Sequence, residues 1–242
     1  ERVLSARLAD AYFFYEKDLT TPPEAWLTQE KRVIFQKGLG SIFDKSERIA
    51  QLAKSFAKAL DVSPEIAHQT GLLCKFDLMT DMVGEFPTLQ GIVGHYYAQH
   101  HQLPQALCQA IHDHYRPCYA GDTLPSTPLG SLIALADKID SVQGLFAIGK
   151  IPSGTKDPFA LRRQALGIVR ILIENSLDLD CKTLLEQANT QLPAPALPEV
   201  IAQSLAFCME RFKHHCLDQK EPAEIIEALL KTNVYSPYDL TL

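Results

Sequence analysis

The stretch His112-Asp113-His114-Tyr115-Arg116-Pro117 and, further along, the stretch Ala136-Asp137-Lys138-Ile139-Asp140 together determine how this sequence is interpreted. Imidazole nitrogens and carboxylate oxygens are ligands for divalent metal ions, so the two stretches outline part of a metal site. The second stretch lies on an apolar stripe at helical spacing, which starts after Thr127-Pro128 and comprises Leu129, Leu132, Ile133, Ala136 and Ile139. The sequence therefore predicts a site built from helices.

The rest of the chain also has the periodicity of helices. Ser63-Pro64-Glu65 and Lys156-Asp157-Pro158-Phe159 are typical of helix starts, with Asp157 as an N-cap candidate. Alternating apolar and polar runs long enough to form a sheet are absent from the sequence. We therefore predict an all-α fold, with helices at 45–60, 63–74, from 127 onward, at 156–176, 199–217 and 222–232.

Composition limits the possible classes of function. The 242 residues are 46% hydrophobic and 21% charged, which is sufficient for a substantial core. No apolar run reaches the roughly 20 residues that span a bilayer, and the six cysteines form no C-x-x-C pair, so we expect no membrane anchor and a cytoplasmic location. The net charge of -6 argues against nonspecific coating of nucleic acid, so any contact with RNA must be local.

The helical pattern with these residue types resembles HD-domain proteins, which bind metal through an early histidine, a His-Asp doublet and a distant aspartate. Residues 44–50 resemble the helix of the early histidine, but Lys45 occupies the position of the ligand. Residues 72–77 resemble the doublet helix, but they contain no His-Asp pair and carry Lys75. A charged ammonium group has no lone pair and repels a metal ion, so this site has lost ligands.

Six positions mark the degenerate site: Lys45, Lys75, Asp77, His112, His114 and Asp137. One interpretation is an HD-type nucleotide phosphohydrolase with an altered metal site. The other, which the two lysines favour, is a helix-bundle interior in which Asp137 pairs with Lys45 or Lys75. We therefore predict that this chain holds no metal and contributes no catalytic residue.

Four longer blocks occur in the same order as in the β subunits of bacterial glycyl-tRNA synthetase, and the chain resembles that family. The blocks are residues 2–14, 39–45, 82–91 and 156–163, the last with the sequence KDPFALRR. The resemblance implies a noncatalytic tRNA-binding and subunit-organising region of an enzyme that attaches glycine to tRNA(Gly). It also implies an α subunit partner in a heterotetramer of two α and two β chains, with ATP and Mg bound by α and no cofactor in this region.

The resemblance and the breaks in the pattern divide the chain into four predicted segments. Residues 1–40 form an N-terminal helical segment that continues from an upstream region, and 41–150 form the degenerate HD-like domain. Residues 151–192 form a helical extension with the KDPFALRR motif. Residues 193–242, which begin within a Pro-rich linker at 192–198, lead toward an anticodon-binding domain.

Candidate RNA contacts are the cations at the KDPFALRR helix start: Lys156, Arg162 and Arg163. Guanidinium groups bind phosphates through two hydrogen bonds, and the alternative is a salt bridge inside the domain. Adjacent residues project about 100° apart on a helix, so one arginine can pair inward while the other faces solvent.

Aromatic and histidine side chains form a second candidate for RNA contact. These side chains could stack on unpaired bases, and the alternative is an ordinary half-buried helix surface. They are His95, Tyr96, Tyr97, His100 and His101. Residues 84–87 predict a helix-breaking turn with Phe86 buried.

Overall fold

The computed structural model describes residues 2–241 and confirms the all-α prediction. Glu1 and Leu242, the outermost residues of the predicted end segments, lie outside the described residues. No described helix is both long enough and apolar enough to cross a membrane. The elements are α1 Arg2–Leu19, α2 Pro23–Glu30, β1 Ile34–Gln36, β2 Gly40–Ser41, α3 Ile42–Phe56, α4 Pro64–Leu73, α5 Asp81–Glu85, α6 Ile92–His100, α7 Gln105–Asp113, α8 Pro128–Ala147, α9 Leu161–Glu174, α10 Cys181–Thr190, α11 Pro198–Asp218 and α12 Ala223–Leu229.

Helix α8 is the centre of the fold. Every residue from Leu129 to Phe146 is buried, and the helix packs against α3, α4, α7, α9, α10 and α11. A helix that is covered on all sides carries its polar residues into the interior, where they need partners. Asp137 and Asp140 of α8 are therefore placed in the core.

Helix α3 starts at a fixed position and lies close to α4. The Ser41 hydroxyl accepts a hydrogen bond from the Asp44 amide (3.1 Å), and the Asp44 carboxylate accepts one from the Ser41 amide (2.6 Å). This reciprocal pair is a capping box. A Cβ on Gly71 of α4 would lie 2.5 Å from the Ala50 Cα of α3, so only glycine allows this packing. The two helices thus direct the buried face of α3 toward α8.

A short hairpin lies between α2 and α3, and the expectation of no sheet was wrong for this segment. Ile34 pairs with Ser41 and Gln36 with Gly40 in an antiparallel ladder. Gly38 and Gly40 have φ values of +94° and +85°, which glycine adopts without strain. Strands of three and two residues are too short to show alternation, so the sequence pattern did not reveal them.

One helix start agrees with its predicted cap and two differ in detail. Thr127 accepts a hydrogen bond from the Gly130 amide (3.0 Å), as expected for an N-cap. Ser63 precedes α4, but its hydroxyl donates to the Glu65 side chain and does not cap the helix. Helix α9 begins at Leu161 and not at Pro158, because Ala160 has a φ of +53°.

One hydrophobic core crosses the predicted boundaries at 150 and 192. It contains side chains from α3, α8, α9, α10 and α11. Gln143 of α8 donates to Asn189 of α10 (3.0 Å) and accepts from Ser204 of α11 (2.6 Å). Asn189 also bonds both backbone groups of Ala196 in the predicted linker, so this loop is held in place. The four-segment division itself stays a prediction.

Candidate functional site

Asp137 lies between two lysines in the protein interior. The Lys45 Nζ is 2.8 Å from Asp137 Oδ1, and the Lys75 Nζ is 2.6 Å from Asp137 Oδ2. Each of these side chains is at most 10% exposed. The ion pair expected between Asp137 and one of the two lysines is thus formed with both.

The network continues one helical turn further along α8. The Lys45 Nζ is 2.9 Å from Asp140 Oδ2 and donates to the Ser141 hydroxyl (2.8 Å). The Arg48 Nε is 2.5 Å from Asp140 Oδ1, and its Nη1 donates to the Leu39 carbonyl (2.9 Å). The Lys45 ammonium group therefore donates hydrogen bonds to Asp140 and Ser141 and forms an ion pair with Asp137.

His114 completes the network and takes a defined tautomer. Its Nδ1 is 2.7 Å from the Ile111 carbonyl oxygen, which can only accept, so Nδ1 carries the proton. Its Nε2 is 2.9 Å from the Lys75 Nζ and accepts from it. Burial and the Lys75 charge hold the His114 pKa well below its usual value, so the ring is neutral. The Lys75 ammonium thus lies between an imidazole nitrogen and a carboxylate oxygen, as a metal ion would.

The turn that carries His114 is held from α8. The buried Lys138 Nζ donates to the Arg116 carbonyl (2.7 Å) and lies within 3.4 Å of the carbonyls of His114 and Tyr115. Burial lowers the pKa of Lys138 to about 8, since its partners are neutral carbonyl groups. Two adjacent residues of α8 therefore support the network: Asp137 supplies its carboxylate, and Lys138 holds the backbone that carries His114.

The charges of the network stabilise each other. Burial alone would raise the pKa of Asp137, but the charges on Lys45 and Lys75 outweigh it and hold that pKa well below its usual value. Burial alone would lower the pKa of Lys45, but Asp137 and Asp140 outweigh it and raise that pKa. Asp137 and Lys45 are therefore ionised at neutral pH.

The residues present do not fit a metal ion. Lys75 already uses the lone pair of His114 Nε2, and both oxygens of Asp137 face ammonium groups. Aromatic rings cover the lysines, with Phe35 4.8 Å from the Lys45 Nζ and Tyr115 4.1 Å from the Lys75 Nζ. Within residues 2–241 no three His, Cys, Asp or Glu side chains are grouped to hold a metal ion.

Two of the six marked positions lie outside the network. The His112 Nδ1 is 2.7 Å from Asp113, and its side chain is partly exposed. Asp77 is buried and accepts from the Gly91 amide at 2.5 Å. Burial raises the pKa of Asp77 to about 6. These two residues hold local loops in place and do not meet Asp137.

Sequence reasoning missed Arg48 and Asp140. Each lies three residues after a predicted position, Lys45 and Asp137 respectively, and hence on the same helix face. Two basic residues at i, i+3 on α3 and two acidic residues at i, i+3 on α8 together indicate a buried ion-pair network. An arginine cannot bind a metal, so the chemistry of metal ligands did not point to Arg48.

The three cations proposed from the KDPFALRR motif do not point in one direction. Lys156 is exposed in the loop before α9. The Arg162 Nη2 donates to the Gly154 carbonyl (2.8 Å), so this guanidinium turns back onto the same loop. The alternative to an RNA contact was a salt bridge inside the domain, and the structure gives Arg162 a backbone carbonyl as its partner. Arg163 is exposed on α9 and, among residues 2–241, forms no ion pair.

The aromatic and histidine cluster divides between core and surface. Tyr97 is buried and donates to Asp18 (3.2 Å), whereas Tyr96 is 53% exposed. The rings of His95 and Tyr96 meet edge to face at 5.4 Å. Phe86 is half-buried, so the prediction that it is buried was wrong. His100 is exposed as well, and its ring lies 5.2 Å from that of the half-buried His101, so contact of this surface with RNA stays a prediction.

Comparison with known proteins identifies the family. Residues 1–231 match the family described as the glycyl-tRNA synthetase beta subunit. The glycine–tRNA ligase beta subunit of Coxiella burnetii (strain RSA 331 / Henzerling II) is 47% identical over 241 residues, which cover 99% of this chain and 35% of that protein. That of Colwellia psychrerythraea is 43% identical over 240 residues, again 99% of this chain and 35% of that protein. The chain thus spans about a third of these relatives, and it belongs to the glycyl-tRNA synthetase β-subunit family.

Proposed function

We propose that this chain is a noncatalytic region of the β subunit of glycine–tRNA ligase that contacts tRNA(Gly) and helps to organise the subunits. The α subunit would carry out ATP-dependent glycine activation, with ATP and Mg bound there, in an assembly of two α and two β chains. Family membership supports the assignment to the ligase. The six free cysteines support a reducing compartment such as the cytoplasm.

The observation that carries the noncatalytic assignment is the position of the Lys75 ammonium group. It lies 2.9 Å from His114 Nε2 and 2.6 Å from Asp137 Oδ2, where these two lone pairs would otherwise bind a cation. A catalytic metal site needs an open position for water. Here the Lys75 ammonium group occupies the place of the cation itself, and its charge opposes the entry of a metal ion.

Contact with tRNA must come from local surfaces. The chain carries 29 carboxylates and 23 basic side chains, so its average field repels a polyanion. The cations buried with Asp137 and Asp140 are already paired. The exposed cations around the start of α9 support this part of the proposal, because their charges face solvent.

The experiment compares two reactions in the complete α and β assembly. Hydrogen exchange with and without tRNA(Gly) should show tRNA-dependent protection of amides within residues 2–241. Glycine-dependent pyrophosphate exchange should be unchanged by Arg163→Ala, while glycylation of tRNA should fall. The proposal fails if the assembly binds tRNA without protecting any amide in this range. Metal-dependent phosphodiester hydrolysis that Asp137→Asn abolishes would instead support an HD hydrolase.

A further inference from the structure

Two segments of the chain carry cations and no carboxylates. Residues 31–43 and 141–156 contain no aspartate or glutamate, although acidic residues outnumber basic ones in the whole chain. All basic residues of these segments are exposed: Lys31, Arg32, Lys37, Lys150 and Lys156. Such a local excess of positive charge in an acidic protein requires an explanation other than composition.

The fold places the two segments side by side. A Cβ on Gly38, at the tip of the hairpin, would lie 3.1 Å from the Ile148 side chain at the end of α8. A Cβ placed on Gly144 of α8 would lie 3.2 Å from the Leu39 side chain. Lys37 and Lys150 are close in sequence to these contacts, so the hairpin tip and the loop after α8 form one surface.

The loop after α8 is held in place. Ser153 and Lys156 exchange two backbone hydrogen bonds, of 3.1 and 2.9 Å. The Arg162 guanidinium donates to the Gly154 carbonyl between them (2.8 Å). Arg162 is therefore a positioning residue, which fixes the backbone that presents Lys156.

The cations of this surface are available to a ligand. Among residues 2–241 none of the five forms an ion pair, and the nearest charge-related contact is that of the Lys31 Nζ with the Phe43 ring at 4.4 Å. Three exposed aliphatic side chains lie in the same segments, Val33 at 43%, Ile34 at 74% and Ile151 at 44% exposure. The surface thus combines free ammonium groups with exposed apolar area.

We propose that this hairpin surface, formed by Lys31, Arg32, Lys37, Lys150 and Lys156, binds the phosphodiester backbone of an RNA. Phosphate contacts come mainly from lysine and arginine. Lysine is depleted in interfaces between proteins, and four of these five cations are lysines, so RNA fits better than an acidic protein. The inference rests on the function proposed above and assigns its RNA contact chiefly to the hairpin.

The test uses the full α and β assembly and labelled tRNA(Gly). One variant combines Lys31→Ala, Arg32→Ala and Lys37→Ala, and a second combines Lys150→Ala and Lys156→Ala. The control combines Lys54→Ala, Lys58→Ala and Lys231→Ala, which removes the same charge as the first variant from exposed positions outside the hairpin surface. Melting curves of all three confirm folding before binding is measured.

We expect the triple hairpin variant to bind tRNA about tenfold or more weakly in low salt. The slope of log K against log salt concentration should become shallower by about 2 to 3, since each lost phosphate contact removes nearly one unit. The slope for the loop variant should become shallower by about 1 to 2, and the control should retain the wild-type slope.

Three results would overturn the inference in distinguishable ways. Wild-type slopes for both folded variants, with tRNA-dependent amide protection elsewhere in residues 2–241, would reject the hairpin surface and leave the proposed function standing. Loss of the α subunit from the triple variant in sedimentation would identify a protein interface. Absence of protection throughout 2–241 would reject the proposed function as well.

Discussion

The buried lysines and the hairpin lysines are the same residue type in opposite situations. Lys45 and Lys75 lie in the core, where carboxylates, a hydroxyl and an imidazole take up their hydrogens. Lys37 and Lys150 are exposed in segments without carboxylates. A basic residue is therefore available for a ligand only where the fold leaves its charge uncompensated, and net charge alone does not reveal this.

The largest effect should come from the carboxylate that holds the buried lysines. Asp137→Asn leaves the Lys75 ammonium with only a neutral imidazole and removes one partner of Lys45. We expect a loss of about 3–5 kcal/mol in the free energy of unfolding, because a buried charge is left unpaired. Urea denaturation followed by circular dichroism measures this loss.

The matched control for that variant is Asp61→Asn. Asp61 is exposed and has a φ of +54°, a conformation that asparagine also tolerates. It should change the free energy of unfolding by no more than about 0.5 kcal/mol. Equal losses for the two variants would mean that the buried network contributes no more than a surface carboxylate.

A second buried carboxylate, Glu30, should contribute to stability with a pH dependence opposite in sign to that of Asp137. Burial raises the pKa of Glu30 to about 7, although the Ser46 hydroxyl donates to it (3.0 Å). A carboxyl with a raised folded pKa binds more protons in the folded state, so stability falls as pH rises from about 4.5 to 7. Asp137, with a lowered pKa, instead contributes stability that is lost below about pH 4.

Glu30→Gln removes the titrating group and keeps the side-chain shape. The free energy of unfolding should then fall less between pH 4.5 and 7, by on the order of 3 kcal/mol. Urea titrations at several pH values test this, with exposed Glu224→Gln as the control. An unchanged profile would show that Glu30 is ionised in the folded protein as easily as in water.

The hairpin lysines should affect binding and leave stability unchanged. Lys37→Ala should alter the free energy of unfolding by less than about 0.5 kcal/mol, since the side chain is exposed. In the full assembly it should make the salt dependence of tRNA binding shallower by about 1. Lys75→Ala should do the reverse and lower stability with little direct effect on binding. A destabilised Lys37→Ala protein would contradict this contrast.

The sequence predicted the all-α class, the central ion pair and the helices α3, α4, α8, α9, α11 and α12, because these follow from simple constraints. Apolar spacing reveals a helix, and a lysine beside an aspartate inside a bundle must find a partner. The hairpin could not be predicted, since its strands are shorter than one alternation pattern. The direction of Arg162 depends on the conformation of the loop that contains Gly154, which the helical pattern does not predict.

The most local effect concerns this arginine. Arg162→Ala removes the hydrogen bond to the Gly154 carbonyl, whereas Asp157 still accepts from the amides of Leu161 and residue 162 (2.8 and 2.9 Å), so α9 keeps its start. An exposed hydrogen bond contributes about 0.5–1.5 kcal/mol, so amides 153–156 should exchange roughly 2 to 10 times faster. Arg163→Ala is the matched control, because this adjacent arginine is exposed and forms no ion pair within residues 2–241. If Arg163→Ala accelerates exchange in the loop and Arg162→Ala does not, Arg162 does not position Lys156, and the availability of that lysine depends on the loop backbone alone.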